Sequence, residues 1–229
     1  LIVGIRQSSY PARFKFSAYA KLSSKVILYT LKQQYNKKIY KIKDFFRFIE
    51  EAFRTMKYLH ISRKKKEISD LFKSRLMLSV TEVNGCKACS WAHTGIALKE
   101  GMSKEDIHQI LSGNRSNFPL NEITAILFAQ HYADTGGIPD IEAWNTLVNT
   151  YGEAKSLGIL GVIRIIMVGN VYGIGFGALQ CRMRGNPVKK SSFLYELGIL
   201  FSIIPFIIGA LVTAFIKNIQ KHDLILHEK

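Results

Sequence analysis

Apolar residues recur along most of this chain at spacings of three and four, the period of a helix that buries one stripe. Phe45, Phe46, Ile49, Phe53 and Met56 mark such a stripe in DFFRFIEEAFRTMKYL. The pattern predicts an amphipathic helix there, preceded by another in the lysine-rich text from Ser17 onward. In EISDLFKSRLMLSVTEV, residues Ile68, Leu71, Phe72, Leu76 and Val80 share one side. Asn84-Gly85 interrupts that run, because an Asn-Gly pair favours a turn or a left-handed residue over a helix interior. A new run, CKACSWAHTGIALKEG, begins at Cys86 and is closed by Gly101. Ser103 with Asp106 has the form of a capping box for KEDIHQILSG, and Asp140 is the expected N-cap of the segment after PLNEITAILFAQHYADTGG. Nothing alternates convincingly with period two, so the expected fold class is all-α.

The C-terminal third changes character. ILGVIRIIMVGNVYGIGFGAL (159–179) is apolar but carries Arg164, Asn170 and several glycines, which predicts a buried, closely packed helix. Arg164 and Asn170 are expected to pair internally, since a buried charge needs a partner. LGILFSIIPFIIGALVTAFI (197–216) holds no charge at all, and its length matches the roughly 20 residues that cross a bilayer core. Pro205 and Gly209 are tolerable in such a helix. Two readings stand for it: a membrane span or deep membrane insertion, or a core helix hidden in an oligomer. Its N-terminal flank carries Arg182, Arg184, Lys189 and Lys190, and its C-terminal flank Lys217, Lys221 and Lys229, a bias that weakly places the N-terminal side in the cytoplasm.

Charge sharpens this division. The net charge of +15 is almost entirely N-terminal: residues 1–80 hold 19 Lys and Arg against 5 Asp and Glu, whereas residues 81–229 hold 13 against 12. SRKKKE (62–67) reads as a solvated linker, with an anionic lipid or nucleic-acid site as the sharper alternative; no nucleic acid is counted among the expected partners. The expected organisation is a basic helical extension (1–62), a helical domain (66–192), a hydrophobic helix (193–217) and a polar tail (218–229). Arg6 interrupts the apolar opening after five residues, so no secretion signal is expected. Three cysteines, two of them in C-x-x-C, suit a reducing, cytoplasmic compartment, possible membrane attachment through 197–216 aside.

The chemistry concentrates in NGCKACSWAH (84–93). Were residues 82–93 one helix, Glu82, Cys86, Cys89 and His93 would share a stripe at i, i+4, i+7 and i+11. Were the helix broken at Asn84-Gly85, Cys86 would lie in the first turn of a new one, where free N–H groups favour thiolate. Both geometries put His93 one turn from Cys89, and a helix N-terminus or an imidazolium lowers a thiol's pKa. A thiolate attacks a peroxide oxygen, and the sulfenic acid it becomes condenses with a neighbouring thiol. C-x-x-C supplies both sulfurs, His93 a base or proton donor, and Glu82 a carboxylate to orient His93. A zinc site would need a fourth ligand from His131, His108 or Glu82; a merely structural cysteine pair is the third reading. His131 is expected to be an ordinary hydrogen-bonded helix residue, Trp91 a core residue, and Cys181 a small buried hydrophobe.

The run SVTEVNGCKACSWAHTGIALKEGMSKEDIHQIL resembles the carboxymuconolactone decarboxylase and alkylhydroperoxidase D superfamily. That signature is an apolar helix ending in a VSELNGC-like segment, C-x-x-C-x-x-x-H, and a helix ending in Lys-x-Gly before a capped helix. The resemblance continues through LFAQHYADTGGIPDIEAW, YGEAKSLGILGVIRIIMVGNVYG and RMRGNPVKKSSFLYELGIL, and so covers roughly residues 66–200. It implies an all-helical homo-oligomer, trimer or hexamer. It also implies a thiol peroxidase that needs no cofactor, acts on a hydroperoxide and is recycled by a thioredoxin-like or dithiol reductant. Carried over, Cys89 attacks peroxide, Cys86 resolves, and His93 transfers the proton. Some members place a relay glutamate where this chain has Ser74, so Glu82 would serve instead. The competing expectation is a membrane-attached redox sensor or zinc clip without turnover.

Overall fold

The computed structural model describes residues 38–113 and 118–225, and every regular element among them is a helix. In chain order these are α1 (Ile42–Lys64), α2 (Asp70–Asn84), α3 (Lys87–Lys99), α4 (Lys104–Leu111), α5 (Ile123–Asp134), α6 (Ile141–Tyr151), α7 (Glu153–Met183) and α8 (Phe193–Ile219). The all-α expectation is borne out. The helix expected ahead of Phe45 lies in residues outside those described.

The punctuation read from the sequence sets several boundaries. Ser69 caps α2 by accepting from Phe72 N, Ser103 caps α4 by accepting from Asp106 N, and Asp140 sits at the N-cap of α6 without a side-chain bond. Gly85 and Gly101 both take positive φ, 72° and 93°, where a side chain would be strained. On α2 the stripe falls largely as expected: Ile68 just ahead of it, then Phe72, Leu76 and Val80, are buried, while Leu71 is half-buried against a second cluster that holds Leu78 and Ile107.

The long helix α7 is the axis of the bundle, with 72% of its apolar window buried. It is the closely packed helix that its glycines predict. Against α1, a Cβ at Gly161 would come within 3.0 Å of Leu59 Cβ, and one at Gly158 would collide with the Ser62 hydroxyl. Glycines therefore let two backbones approach where larger residues would hold them apart.

The buried stripe of α1 differs from the predicted one. Phe45, Phe48, Ile49, Ala52, Thr55 and Leu59 are inside, while Met56 is exposed. The cause is that α1 packs against two helices, α7 and α8. Phe46, at the edge of the core face, meets the Phe206 ring of α8 at 5.7 Å. Although α1 falls in the stretch expected as a basic extension, its Phe45, Phe48 and Leu59 belong to the same buried cluster as Leu160, Ile163 and Met167 of α7.

A polar cluster sits inside this apolar core. Arg164 is 1% exposed. Its Nε donates to Tyr132 Oη at 3.0 Å, and Tyr132 Oη donates to Glu51 Oε2 at 2.8 Å. Arg164 Nη2 also donates to the Leu224 carbonyl at 2.5 Å, which pins the tail onto the bundle. Asn170 Oδ1 accepts from Thr81 Oγ1 at 3.1 Å. Both internal pairings expected for α7 are present.

Helix α8 contrasts with α7. Both are long and apolar enough to cross a membrane, yet only 22% of the apolar window of α8 is buried. Its inner face seats Ile199 in the space that Gly175 leaves open, while Leu194, Phe201 and Ile204 are each more than 70% exposed.

Replacing Tyr132 by Phe removes the hydroxyl that links Glu51 to Arg164 and leaves both buried groups short of a partner. A loss of roughly 1–3 kcal/mol in unfolding free energy is expected, read by urea denaturation at constant m-value.

Candidate functional site

The candidate site is built where α2 ends and α3 begins. Gly85 closes α2 in the left-handed conformation, its N–H donating to Thr81 O at 2.8 Å. The chain then restarts with Cys86 as the N-cap of α3. The sequence leaves open a continuous helix or a break; the structure has the break. Cys86 Sγ accepts from Cys89 N at 3.3 Å, so this sulfur occupies the place of a capping oxygen.

Cys86 and Cys89 are joined by a disulfide, with Cα atoms 5.3 Å apart. Cys86 is 1% exposed, and Cys89 is half-buried beside an exposed Gly169, whose carbonyl oxygen is 3.5 Å from Cys89 Sγ. The floor under both sulfurs is Gly173 of α7. A Cβ there would stand 2.6 Å from Cys86 Sγ and 2.6 Å from Cys89 Sγ, so no larger residue fits without displacing one helix.

The corner itself is held by side chains. Tyr40 Oη donates to Asn84 Oδ1 at 2.6 Å, and Asn84 Nδ2 lies 3.1 Å from Met167 Sδ on α7. Tyr195 Oη of α8 donates to the Tyr40 carbonyl at 2.6 Å. The segment before α1, the end of α2, α7 and α8 thus converge on the turn that presents the cysteines.

His93 lies one turn beyond Cys89 on α3, half-buried, with Nδ1 inside the protein and without a hydrogen-bond partner among the described residues. Burial holds its pKa below the ordinary histidine value; the negative charge of Glu100 works against that shift and the positive charge of Lys73 reinforces it. Glu100, at the C-cap of α3, accepts a short hydrogen bond from Ser74 Oγ of α2 and an ion pair from Lys73 Nζ at 3.3 Å. Glu82 Oε1 lies 4.0 Å from where a Cβ on Gly113 would stand, at the end of α4. The break at Gly85 takes it off the stripe that Cys89 and His93 share.

The other residues singled out in the sequence fall as follows. His131 accepts from Asp140 N at 3.1 Å, as a hydrogen-bonded helix residue should. Trp91 is 77% exposed, not core, because it sits on a side of α3 that no helix among the described residues covers. Cys181 is a free, half-buried thiol. Among the described residues no three His, Cys, Asp or Glu side chains gather to hold a metal ion. Sequence reasoning missed Gly173, Asn84 and Glu100. The GNVYG spacing on α7 signals a close helix contact but not what it contacts.

Chemically, two sulfurs at a helix N-terminus with an imidazole one turn away form a dithiol/disulfide couple, and the free amides of the first turn favour a thiolate there. Comparison with known families agrees with the sequence resemblance: the model of the carboxymuconolactone decarboxylase family matches residues 49–117. That stretch runs from the middle of α1 through α4 and contains both cysteines and His93. No curated protein and no solved structure matches the chain.

Gly173→Ala tests the floor of the site. The added methyl is expected to destabilise the oxidised protein by roughly 1–3 kcal/mol through overpacking, and the reduced protein by less, since separate thiols can move aside. Thermal unfolding with and without a reductant reads the difference.

Proposed function

We propose that this protein is a thiol peroxidase that reduces hydroperoxides at the Cys86–Cys89 pair. The observation that carries the reading is the half-buried Cys89 in the first turn of α3, bonded to the buried Cys86, with His93 one turn along. The burial gradient supports Cys89 as the attacking sulfur and Cys86 as the resolving one.

In the reduced state His93 takes the Cys89 proton, and the thiolate attacks the distal oxygen of ROOH. The O–O bond breaks, the alkoxide leaves as ROH with the proton from His93, and Cys89 becomes a sulfenic acid. His93 then accepts the Cys86 proton. The Cys86 thiolate displaces hydroxide from the Cys89 sulfur, and the hydroxide leaves as water with that proton. The sum is two thiols plus ROOH giving a disulfide, ROH and water. A dithiol or thioredoxin-like reductant returns both sulfurs to thiols by exchange. Zinc-clip binding lacks this support, because among the described residues no three His, Cys, Asp or Glu side chains gather at the sulfurs.

The outer face of α8 supports a second element of the reading, attachment to an anionic membrane surface. If α8 spanned the bilayer, α1 would enter with it, carrying Arg47, Glu50 and Arg54; Glu50 is paired to Lys217 of α8 at 2.9 Å. Insertion of the exposed face alone avoids that cost. The exposed Arg184, Lys189, Lys190 and Lys221 flank this face at its two ends, where they meet lipid headgroups.

Stopped-flow reaction of the reduced protein with hydroperoxide tests the chemistry. Turnover with a dithiol is expected in the wild type, is lost in Cys89→Ser and Cys86→Ser, and falls roughly 10²-fold or more in His93→Gln; a sulfenic acid is trapped only in Cys86→Ser. A wild type that consumes no peroxide overturns the proposal. For the membrane element, the protein is expected to sediment with anionic but not neutral vesicles, and Phe201→Asp to weaken that binding. A protein that stays in the supernatant as a defined oligomer assigns the α8 face to a second copy instead.

A further inference from the structure

We propose that Glu100 is the positioning carboxylate of the thiol centre: clamped by Ser74 and Lys73 of α2, its fixed negative charge favours the imidazolium form of His93 on the same face of α3. The inference rests on the proposed peroxidase reading and adds to it a residue from the opposite end of the helix.

Three features of geometry carry it. His93, Ala97 and Glu100 follow one another at i, i+4 and i+7, so they share the face of α3 that also bears Cys89. Helical side chains lean toward the N-terminus, so Glu100 at the C-cap leans toward the turn that carries Ala97, which is small and fully buried. The carboxylate is also held where it stands: Ser74, itself 0% exposed, donates to Oε2, and Lys73 Nζ is 3.3 Å from Oε1. At the other end, His93 Nδ1 is buried and has no hydrogen-bond partner among the described residues. A buried ring nitrogen without a partner is costly, and in the imidazolium it becomes a donor that a carboxylate can take.

Among the described residues the charged groups acting on the ring are Glu100 from its own helix and Lys73 from α2; on the α7 side the sulfur pair lies against Gly169 and Gly173. The imidazolium appears when His93 removes the Cys89 proton and disappears when the alkoxide leaves. A fixed negative charge therefore stabilises the thiolate–imidazolium state relative to the neutral pair, and Lys73 opposes it. Glu100 touches neither sulfur nor substrate; it acts through His93.

The test uses two titrations that do not depend on turnover: alkylation of Cys89 against pH in the reduced Cys86→Ser protein, and the NMR shift of the His93 ring against pH. Glu100→Gln keeps a hydrogen-bonding group for Ser74 and removes the charge. It is expected to move the His93 midpoint down and the Cys89 midpoint up, each by about one pH unit, and to lower kcat more than KM; Glu100→Asp should restore part of both. Lys73→Met breaks the same clamp but removes the opposing cation, so it should move the His93 midpoint up. Shifts of opposite sign in the two variants support the proposal. Curves that overlay the wild type, or shifts of the same sign, overturn it and leave Glu100 as a fastening between α3 and α2. If the wild type fails to consume peroxide while the titrations respond as expected, only the peroxidase reading falls.

Discussion

The site depends on one close approach, that of α7 to the first turn of α3. Position 173 has no side chain, so both sulfurs rest on the backbone of a helix that is itself immobilised in the core. Gly85 lets the chain leave α2 and restart at Cys86, and the Tyr40–Asn84–Met167 contacts fix the angle of that restart. Backbone geometry rather than a large apolar pocket positions the cysteines. The consequence is a pair with unequal surroundings: an inner sulfur shielded by the bundle and an outer one beside open backbone at Gly169.

Electrostatics then divides along α3. At its start, unsatisfied amides favour negative charge on sulfur. At its middle, burial favours the neutral form of His93. At its end, Glu100 is held by two residues of α2. In the proposed reaction a proton moving from sulfur to imidazole would travel along one helix face, between a positive helix end and a fixed carboxylate. Desolvation alone would oppose the charged intermediate, which on this proposal the carboxylate offsets.

Much of the helical layout is readable in the sequence because each helix carries its own stripe and punctuation. Ile68, Phe72, Leu76 and Val80 fall inside as their spacing requires, and the Asn84-Gly85 break is a local backbone property. Arg164 and Asn170 were readable as internally paired because an apolar context leaves a polar group no other outcome. What failed needed tertiary knowledge. The stripe of α1 is rotated because two helices cover it, and Trp91 is exposed because no described helix covers its side of α3. Glu82 shares a stripe with Cys86, Cys89 and His93 only if residues 82–93 form one helix, and the chain turns at Gly85. Glu100 and Ser74 lie 26 residues apart, and no periodicity connects them.

The central claim is that Cys86 and Cys89 form one two-electron couple oxidised by a hydroperoxide. Peptide mapping of the fully reduced protein after reaction with one equivalent of hydroperoxide addresses it most directly. The account predicts loss of two thiols, a single Cys86–Cys89 disulfide in the peptide that spans both, and Cys181 still open to alkylation. Both sulfurs of the pair still reduced after the peroxide is added, or a disulfide that includes Cys181, would contradict it.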